Sequence, residues 1–302
     1  MNVRNILHSY SLRQQARMIP QRVLGKTGLV VSAFGLGGQA LLEIEGHQRD
    51  TCLLINKAID LGVTYFDTAA IYGPSRFYLG QSLGMRRSQI TLASKVYQRD
   101  YKGAKNELDE SFKLLKTPVI DIVQLHGIKD QSDKNVLMKD GALQVLIEAK
   151  KAGKIRFIGV TGHYDPQILS EFIDLFDFDT ILMALNPAVP EFVDLAKKAR
   201  QKNMGIIAMK VMARGILPEA FPSDKLLQWA IHRSHVAIIG CSNETDLERN
   251  IIAASEYSET IDFEFEMDSK LQNRAAFFAK GREGQRWPAT YQPNLPTIQY
   301  DK

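Results

Sequence analysis

The sequence predicts an α/β protein whose eight parallel strands close into an (α/β)8 TIM barrel. Short apolar runs of strand length alternate with amphipathic helical stretches along most of the chain, as expected for parallel strands covered on both faces. Eight such units in succession favour a closed barrel over an open doubly wound sheet, which would need a GxGxxG loop leading into a helix. The stretch Gly35–Gly38 matches that loop only in part, so the barrel is the better interpretation.

The predicted strands are short and mostly apolar, and in chain order they are Val31–Leu36, Thr64–Asp67, Ile90–Lys95, Ile120–Leu125, Ile155–Val160, Thr180–Ala184, Gly205–Lys210 and Val236–Ile239. The stretches between them carry apolar residues at helical spacing, for example Leu108, Phe112 and Leu115. Asp165 before Pro166 has the form of a helix N-cap followed by proline in the first turn. The loops after the first and fourth strands are expected to be short, which favours an open site at the mouth of the barrel.

Two parts of the chain lie outside the eight units. Ile19–Leu24 and Leu29–Ser32 flank Gly25–Gly28, which predicts a small hairpin that plugs the bottom of the barrel. Residues 1–18 are expected to form an N-terminal extension, and residues 19–302 a single domain with a C-terminal tail from about residue 255. The tail contains a predicted helix over Asp268–Lys280. Its aromatic residues either line a substrate pocket or fasten the tail to the barrel, and they are Phe277, Phe278, Trp287 and Tyr291.

The composition is ordinary for a globular protein, with 45% hydrophobic and 24% charged residues and a formal net charge of +4. So small a charge does not favour nucleic acid as a partner, although a basic mouth could attract an anionic cofactor. No apolar run is long enough to span a bilayer, and Met1–Met18 lacks the apolar core of a signal peptide. Cys52 and Cys241 make no disulfide framework, so we expect a cytoplasmic protein. The oligomeric state stays open.

Four polar residues stand at or just past the ends of predicted strands: Asp67, Tyr72, Lys95 and His126. In a barrel, such positions face the site at the carboxyl ends of the strands. A tyrosine titrates near 10, and a nearby lysine favours the phenolate and lowers that pKa. Tyr72 could thus protonate a carbonyl oxygen while Asp67 holds Lys95 and His126 orients the substrate. Each residue alone is more often a packing, capping or solvated residue, but four together indicate carbonyl reduction, for which a cofactor must supply the hydride.

The ends of strands seven and eight are where such barrels often bind phosphate. Gly240 to Asn243 precede the eighth helix, whose N-terminus would offer free N–H groups, and Lys210 adds a positive charge on the same side. From the residues alone, a cofactor site and a solvated rim lysine beside a simple helix cap are about equally supported.

The chain resembles the aldo-keto reductases. The stretches that carry the resemblance are Gly62–Ala69 with Tyr72-Gly73, Ser94-Lys95, Asp121–His126, Gly153–Arg156 leading into Gly159–Thr161, Leu227–Ala230, and Gly240 with Asn250. The resemblance covers roughly residues 22–254. It implies NAD(P)H-dependent reduction of aldehydes or ketones without a metal, with Tyr72 as the proton donor, Lys95 and Asp67 as its tuning pair, and His126 as the substrate-orienting residue.

The resemblance also implies where the cofactor lies. The residues it assigns to cofactor binding are Gly37, Gly38, Asp67, Thr161, Gly162, Lys210, Met212, Gly240, Ser242 and Asn250. Four positions depart from the usual pattern of the family. Gly162 has no side-chain amide, Asn186 is the nearest amide on strand six, and Met209 replaces a stacking aromatic. Ser242 or Asp246 stands where the family often has a basic residue that binds the 2′-phosphate, and only Arg249 could take over that role. NADPH is the expected cofactor because it is the usual one in the family, and these departures make NADH a possible one.

Two alternatives stay open at this point. Lys95 could instead form a Schiff base in a lyase or aldolase barrel if its pKa were depressed, although Asp67 argues against this. A barrel that binds the cofactor but turns over slowly could also serve as a regulatory module, and the complete set of four residues argues against a full loss of catalysis. The substrate is not determined beyond a small aldehyde or ketone.

Overall fold

Eight parallel strands pair in chain order and close on themselves in this computed structural model, which describes residues 18–280. The strands are β3 Phe34–Gly37, β4 Tyr65–Asp67, β5 Thr91–Val96, β6 Ile120–Leu125, β7 Ile155–Gly162, β8 Thr180–Ala184, β9 Gly205–Met209 and β10 Val236–Ile239. The barrel closes because β10 pairs with β3, with Ala237 opposite Phe34. The predicted fold class is confirmed.

Helices surround the barrel and end with one that belongs to the C-terminal tail. They are α1 Gln48–Asp60, α2 Ser75–Leu83, α3 Tyr101–Leu115, α4 Ala142–Lys151, α5 Pro166–Leu175, α6 Glu191–Gln201, α7 Ser223–Arg233, α8 Glu244–Ser255 and α9 Ser269–Lys280. Asp165 caps α5 as predicted, because its side chain accepts a hydrogen bond from the Gln167 amide at 2.8 Å. Among residues 18–280, no helix combines the length and apolar character needed to cross a membrane.

The predicted hairpin is present and closes one end of the barrel. β1 Gln21–Val23 pairs antiparallel with β2 Val30–Ser32. The side chain of Leu24 is fully buried and joins the apolar cluster inside the barrel, which includes Tyr65 and Ile207. The predicted strand Val31–Leu36 is in fact two strands, because the chain leaves the hairpin at Ser32 and enters the barrel at Phe34.

The connection after β6 differs from the short loop that we expected. It runs from residue 126 to residue 141 and includes a 3-10 helical stretch at Gln131–Leu137. The expectation of a short loop after the fourth barrel strand is therefore wrong. The proposed domain limits stay predictions, since residues 1–17 and 281–302, with Trp287 and Tyr291, lie outside the described residues.

Candidate active site

The four polar residues lie together at the C-terminal mouth of the barrel. Asp67 is the last residue of β4, Lys95 is the last but one of β5, and His126 follows directly after β6. Tyr72 lies in the connection between β4 and α2. The register pairs Asp67 with Ala93, and residues two apart on a strand point to the same face. Asp67 and Lys95 therefore both point into the barrel.

The centre of the site is a buried ion pair. The Lys95 Nζ atom donates to Asp67 Oδ2 at 2.5 Å and to the carbonyl oxygen of Thr68 at 2.9 Å. The side chains are 0% and 1% exposed, respectively. Burial raises the pKa of Asp67 and lowers that of Lys95, and the attraction between the two opposes both shifts. Each charge therefore depends on the other to persist in the barrel.

Tyr72 lies directly over this pair. The Lys95 Nζ atom is 4.7 Å from the centroid of the Tyr72 ring, and Tyr72 is 9% exposed. The Lys95 cation therefore lies against the aromatic face of Tyr72 in a site largely closed to water. The His126 ring meets the Tyr72 ring edge to face, with centroids 5.8 Å apart, and the Tyr97 ring also packs edge to face against His126 at the same separation.

His126 is held as a neutral imidazole. Burial lowers its pKa well below the usual range, and the charges of Lys95 and Arg99 act in the same direction. Its Nδ1 atom is buried and makes no hydrogen bond within residues 18–280. A neutral ring has one N–H donor and one acceptor nitrogen, so His126 can donate a hydrogen bond to an oxygen beside Tyr72 without carrying a charge.

A cleft opens beside Tyr72 and Asp67, across the ends of β3, β9 and β10. Its lining includes the predicted cofactor residues Gly37, Gly38, Asp67, Met209, Lys210, Met212 and Gly240. A Cβ atom added to Gly38 would lie 2.5 Å from the Asp67 carbonyl oxygen and 2.7 Å from Ser75 Oγ. Gly38 therefore packs too closely against the chain that follows β4 for any side chain to be accommodated.

Lys210 and Arg214 line one wall of the cleft with basic side chains. The Asn186 amide donates to the carbonyl oxygen of Lys210 at 2.9 Å and supports a left-handed backbone at Lys210, with φ of 56°. Burial and the charge of Arg214 hold the pKa of Lys210 well below its usual range, so an anion beside Lys210 would favour its charged form. Gln39, opposite, accepts from Lys210 Nζ at 3.4 Å.

Side chains of the protein itself accept hydrogen bonds from the backbone amides at the N-terminus of α8. The Asp246 carboxylate accepts from the Ser242 amide at 3.3 Å, and the Asn243 side chain accepts from the Asp246 amide at 2.9 Å. Arg249 lies 3.7 Å from Asp246 and is 63% exposed. Asn250 is buried, and its amide donates to the Cys241 sulfur. These four predicted residues (Ser242, Asp246, Arg249 and Asn250) lie outside the lining of the cleft.

Cys241 is a packing residue in this arrangement. Its side chain is fully buried, and burial raises the pKa of its thiol to about 12. A thiol that stays protonated is a poor nucleophile and is slow to oxidise.

The end of β7 explains why Gly162 replaces an amide-bearing residue. A Cβ atom there would lie 2.5 Å from the Ile128 carbonyl oxygen, so the loop after β6 passes too close for a side chain. Thr161 is 1% exposed and its hydroxyl finds no hydrogen-bond partner within the described residues, which suits contact with a polar ligand. His163 donates through Nδ1 to the carbonyl oxygen of Lys280 and stacks on Tyr164.

Sequence reasoning missed Gln39 and Arg214, which also line the cleft. Gln39 follows the glycines at the end of β3, and its position at the C-terminal end of a barrel strand could have identified it as a site residue. Arg214 could not be placed from the sequence, because it reaches the cleft through a left-handed backbone, with φ of 56°, in the loop after β9.

The chain belongs to the aldo/keto reductase family, whose pattern it matches over residues 34–225. This confirms the predicted class, an NAD(P)H-dependent oxidoreductase. The family match covers β3 through the start of α7, and with it all four residues of the mouth.

Individual relatives agree with this assignment. The chain is 30% identical to L-galactose dehydrogenase of Arabidopsis thaliana over 224 residues, 68% of this chain and 69% of that one. It is 26% identical to pyridoxal 4-dehydrogenase of Microbacterium luteolum, covering 65% and 72% of the two chains. Among solved structures, an aldo-keto reductase from Klebsiella pneumoniae in complex with NADPH matches with a TM-score of 0.66, 21% identity and coverage of 88% and 97%, which shows the shared fold.

Proposed function

We propose that this protein reduces an aldehyde or ketone to an alcohol, with Tyr72 as the general acid. The observation that carries the proposal is the position of the Lys95 ammonium, 4.7 Å from the Tyr72 ring and buried against Asp67. Nicotinamide bound in the adjoining cleft supplies the hydride for the carbonyl carbon. The side chains of this chain then have to orient the carbonyl, exclude water and deliver a proton to its oxygen.

Tyr72 delivers the proton because the alkoxide that forms on reduction is a much stronger base than a phenolate. Lys95 stabilises the phenolate that remains, and it can do so in this site because few water molecules screen its charge. Asp67 keeps Lys95 charged and fixed in place. A well-matched general acid contributes typically about 10²- to 10⁴-fold to the rate.

His126 orients the substrate oxygen. As a neutral imidazole flanked by two tyrosine rings, it can donate one hydrogen bond without competing with Tyr72 for the proton. Its edge-to-face packing on Tyr72 limits the positions from which a carbonyl oxygen could contact both groups. Such orientation can contribute as much to the rate as the acid itself.

The cleft fits a dinucleotide in shape and charge. Gly38 and Gly240 allow close backbone approach, Met209 offers an apolar surface for a ring, and Lys210 with Arg214 would face a pyrophosphate. The Asp246 carboxylate occupies the α8 N-terminus, where a 2′-phosphate would otherwise bind, so NADH is accepted alongside NADPH.

The substrate is a small polar carbonyl compound. Two relatives are named as dehydrogenases, one of L-galactose and one of pyridoxal, and hydride transfer at this site is reversible. A panel of sugar aldehydes or lactols, pyridine aldehydes and short aliphatic aldehydes, run in both directions with both cofactors, tests the substrate and the direction together.

Replacement of Tyr72 by phenylalanine tests the role of its hydroxyl. Tyr72→Phe should lower kcat for reduction by about 100-fold or more, while NADPH still quenches protein fluorescence with an unchanged dissociation constant. Tyr97→Phe is the matched control, because Tyr97 contacts the His126 ring as Tyr72 does, whereas the Lys95 cation lies over the Tyr72 ring. If Tyr72→Phe keeps as much activity as Tyr97→Phe, and both stay near wild type, Tyr72 is not the acid.

The geometry gives less support to the alternatives. The Lys95 amine is completely buried and bonded to two oxygens, so a substrate carbon cannot reach it, and borohydride should trap no adduct. A regulatory module would bind NADPH and leave it unoxidised when mixed with aldehydes in a stopped-flow instrument.

A further inference from the structure

We propose that Arg99 is a positioning residue for His126 and that Asp133 holds Arg99 in that role. This inference rests on the proposed function of His126. Arg99 lies in the loop after β5, outside the barrel strands, and nothing in its sequence context links it to His126. The link comes entirely from the contacts that its guanidinium makes with the loop after β6.

The guanidinium of Arg99 ties together the two loops at the mouth. Its Nη1 atom donates to the carbonyl oxygens of Tyr97 at 2.8 Å and His126 at 2.7 Å, and its Nη2 atom donates to that of Gly127 at 3.0 Å. A planar fork with several fixed donors suits such a set of carbonyls, and a lysine ammonium cannot reproduce it. Arg99 therefore fixes the backbone of His126 at the point where the chain leaves β6.

Asp133 completes the arrangement from the far side of the loop. Its Oδ1 atom accepts from Arg99 Nε at 2.7 Å, and its Oδ2 atom accepts from the Lys129 amide at 2.7 Å. The Asp133 side chain is 6% exposed and that of Arg99 is 22% exposed. Both oxygens of the Asp133 carboxylate accept hydrogen bonds, so Arg99 and Asp133 together hold the loop over residues 126–133 in one conformation.

Arg99 also acts on the protonation of His126. The charged and titratable groups around His126 are Lys95 from β5, Arg99 from the loop after β5, His163 from the loop after β7, Lys210 from the end of β9, and the two tyrosines Tyr72 and Tyr97. Lys95, Lys210 and Arg99 all disfavour a charged imidazole. Loss of the Arg99 charge should therefore raise the pKa of His126.

Two substitutions separate orientation from charge. Arg99→Lys keeps the charge but loses the fork, so kcat should fall by about 10- to 100-fold, the range for a small misplacement of a reacting group, with the His126 pKa little changed. Arg99→Met loses both, so kcat should fall and the His126 pKa should rise. Neither change should alter the dissociation constant of NADPH, because Arg99 lies outside the cofactor cleft.

Arg87 offers a matched control at the opposite end of the same two strands. Its side chain is 20% exposed, and it donates to the carbonyl oxygens of Ile90 and Val119 and to the Asp121 carboxylate. Arg87→Lys and Arg87→Met remove a comparable network far from the mouth. They should lower the midpoint of urea unfolding much as the Arg99 variants do, while kcat and the pH profile of kcat/KM stay near wild type.

The pKa of His126 is read by NMR of ¹³C-labelled histidine, assigned by the signal lost in His126→Asn. This readout needs no turnover, so it tests the inference even if the protein reduces no carbonyl and the proposed function fails. If Arg99→Met does not fold, Asp133→Asn, which frees Arg99 without removing its charge, takes its place and should lower kcat by about 10-fold. Equal kcat and equal His126 pKa in the Arg99 and Arg87 variants would overturn the proposal.

Discussion

The buried pair of Asp67 and Lys95 makes a quantitative prediction that separates stability from activity. Both side chains are almost completely inaccessible, and a single 2.5 Å hydrogen bond joins their charges. Removing one partner of such a pair leaves an uncompensated buried charge and costs about 3–5 kcal/mol. Asp67→Asn and Lys95→Met should each lower the free energy of unfolding by that amount.

The double variant should behave differently. With Asp67→Asn and Lys95→Met together, no charge is left uncompensated, and replacing a buried pair by neutral groups of similar volume is often close to neutral. We therefore expect the double variant to be more stable than either single variant, so that the two single losses are strongly non-additive. Carbonyl reduction should stay at least about 100-fold below wild type in Lys95→Met and in the double variant, because both lack the cation beside Tyr72.

Urea unfolding followed by tryptophan fluorescence measures the three free energies, and thermal unfolding checks them. At about 2 cal/mol/K of unfolding entropy per residue, a loss of 3–5 kcal/mol lowers the Tm of a chain of this size by roughly 5–8 °C. Additive losses in the double variant would refute the reasoning, because they would mean that each side chain stabilises the barrel through packing and not through its charged partner. Full activity of Lys95→Met would refute the role of its cation.

Three further predictions follow from the described contacts. Burial and nearby arginines lower the pKa of His235 to about 4, and the pKa of His126 is shifted in the same direction. In the unfolded chain these histidines take up protons near pH 6.5, whereas in the folded chain they stay neutral, so the stability should fall as the pH drops from about 6.5 towards 4. The urea midpoint should therefore be lower at pH 5 than at pH 7.5. Gly38→Ala should abolish cofactor binding in a fluorescence titration, because its Cβ would clash with the Asp67 carbonyl oxygen at 2.5 Å; unchanged binding would show that the cofactor lies elsewhere. Asp246→Lys should shift preference from NADH towards NADPH by about 10-fold or more in kcat/KM, and an unchanged ratio would mean that α8 does not contact the 2′ position.

Much of the fold followed from the sequence because parallel barrel strands have a simple signature. Each strand is buried on both faces, so each appears as a short apolar run, and the predicted limits of β6, β8 and β10 agree with the structure. The limits failed where the chain changes direction without a change in composition. Val31–Leu36 is apolar throughout, yet a strand of the hairpin and a strand of the barrel meet within it.

The residues of the candidate site also divide into those that the sequence could predict and those that it could not. Polar residues at strand ends carry their own signal, so Asp67 and Lys95 could be placed in advance, and the family resemblance placed Gly37 and Gly38 beside them. Residues that reach the mouth from loops could not, and Arg214 is the clearest example, since its position depends on backbone angles that its sequence does not announce.

The sequence by itself determined the barrel and the family, and it predicted the proton donor Tyr72, since strand periodicity and strand-end chemistry are local properties of the chain. Only the tertiary structure decided what surrounds those residues. It buried Lys95 against Asp67, turned the Asp246 carboxylate onto the α8 N-terminus, and brought Arg99 from one loop to the His126 backbone of another. Burial and contacts between distant segments set pKa values and fix orientation, and neither can be read from neighbours in the sequence.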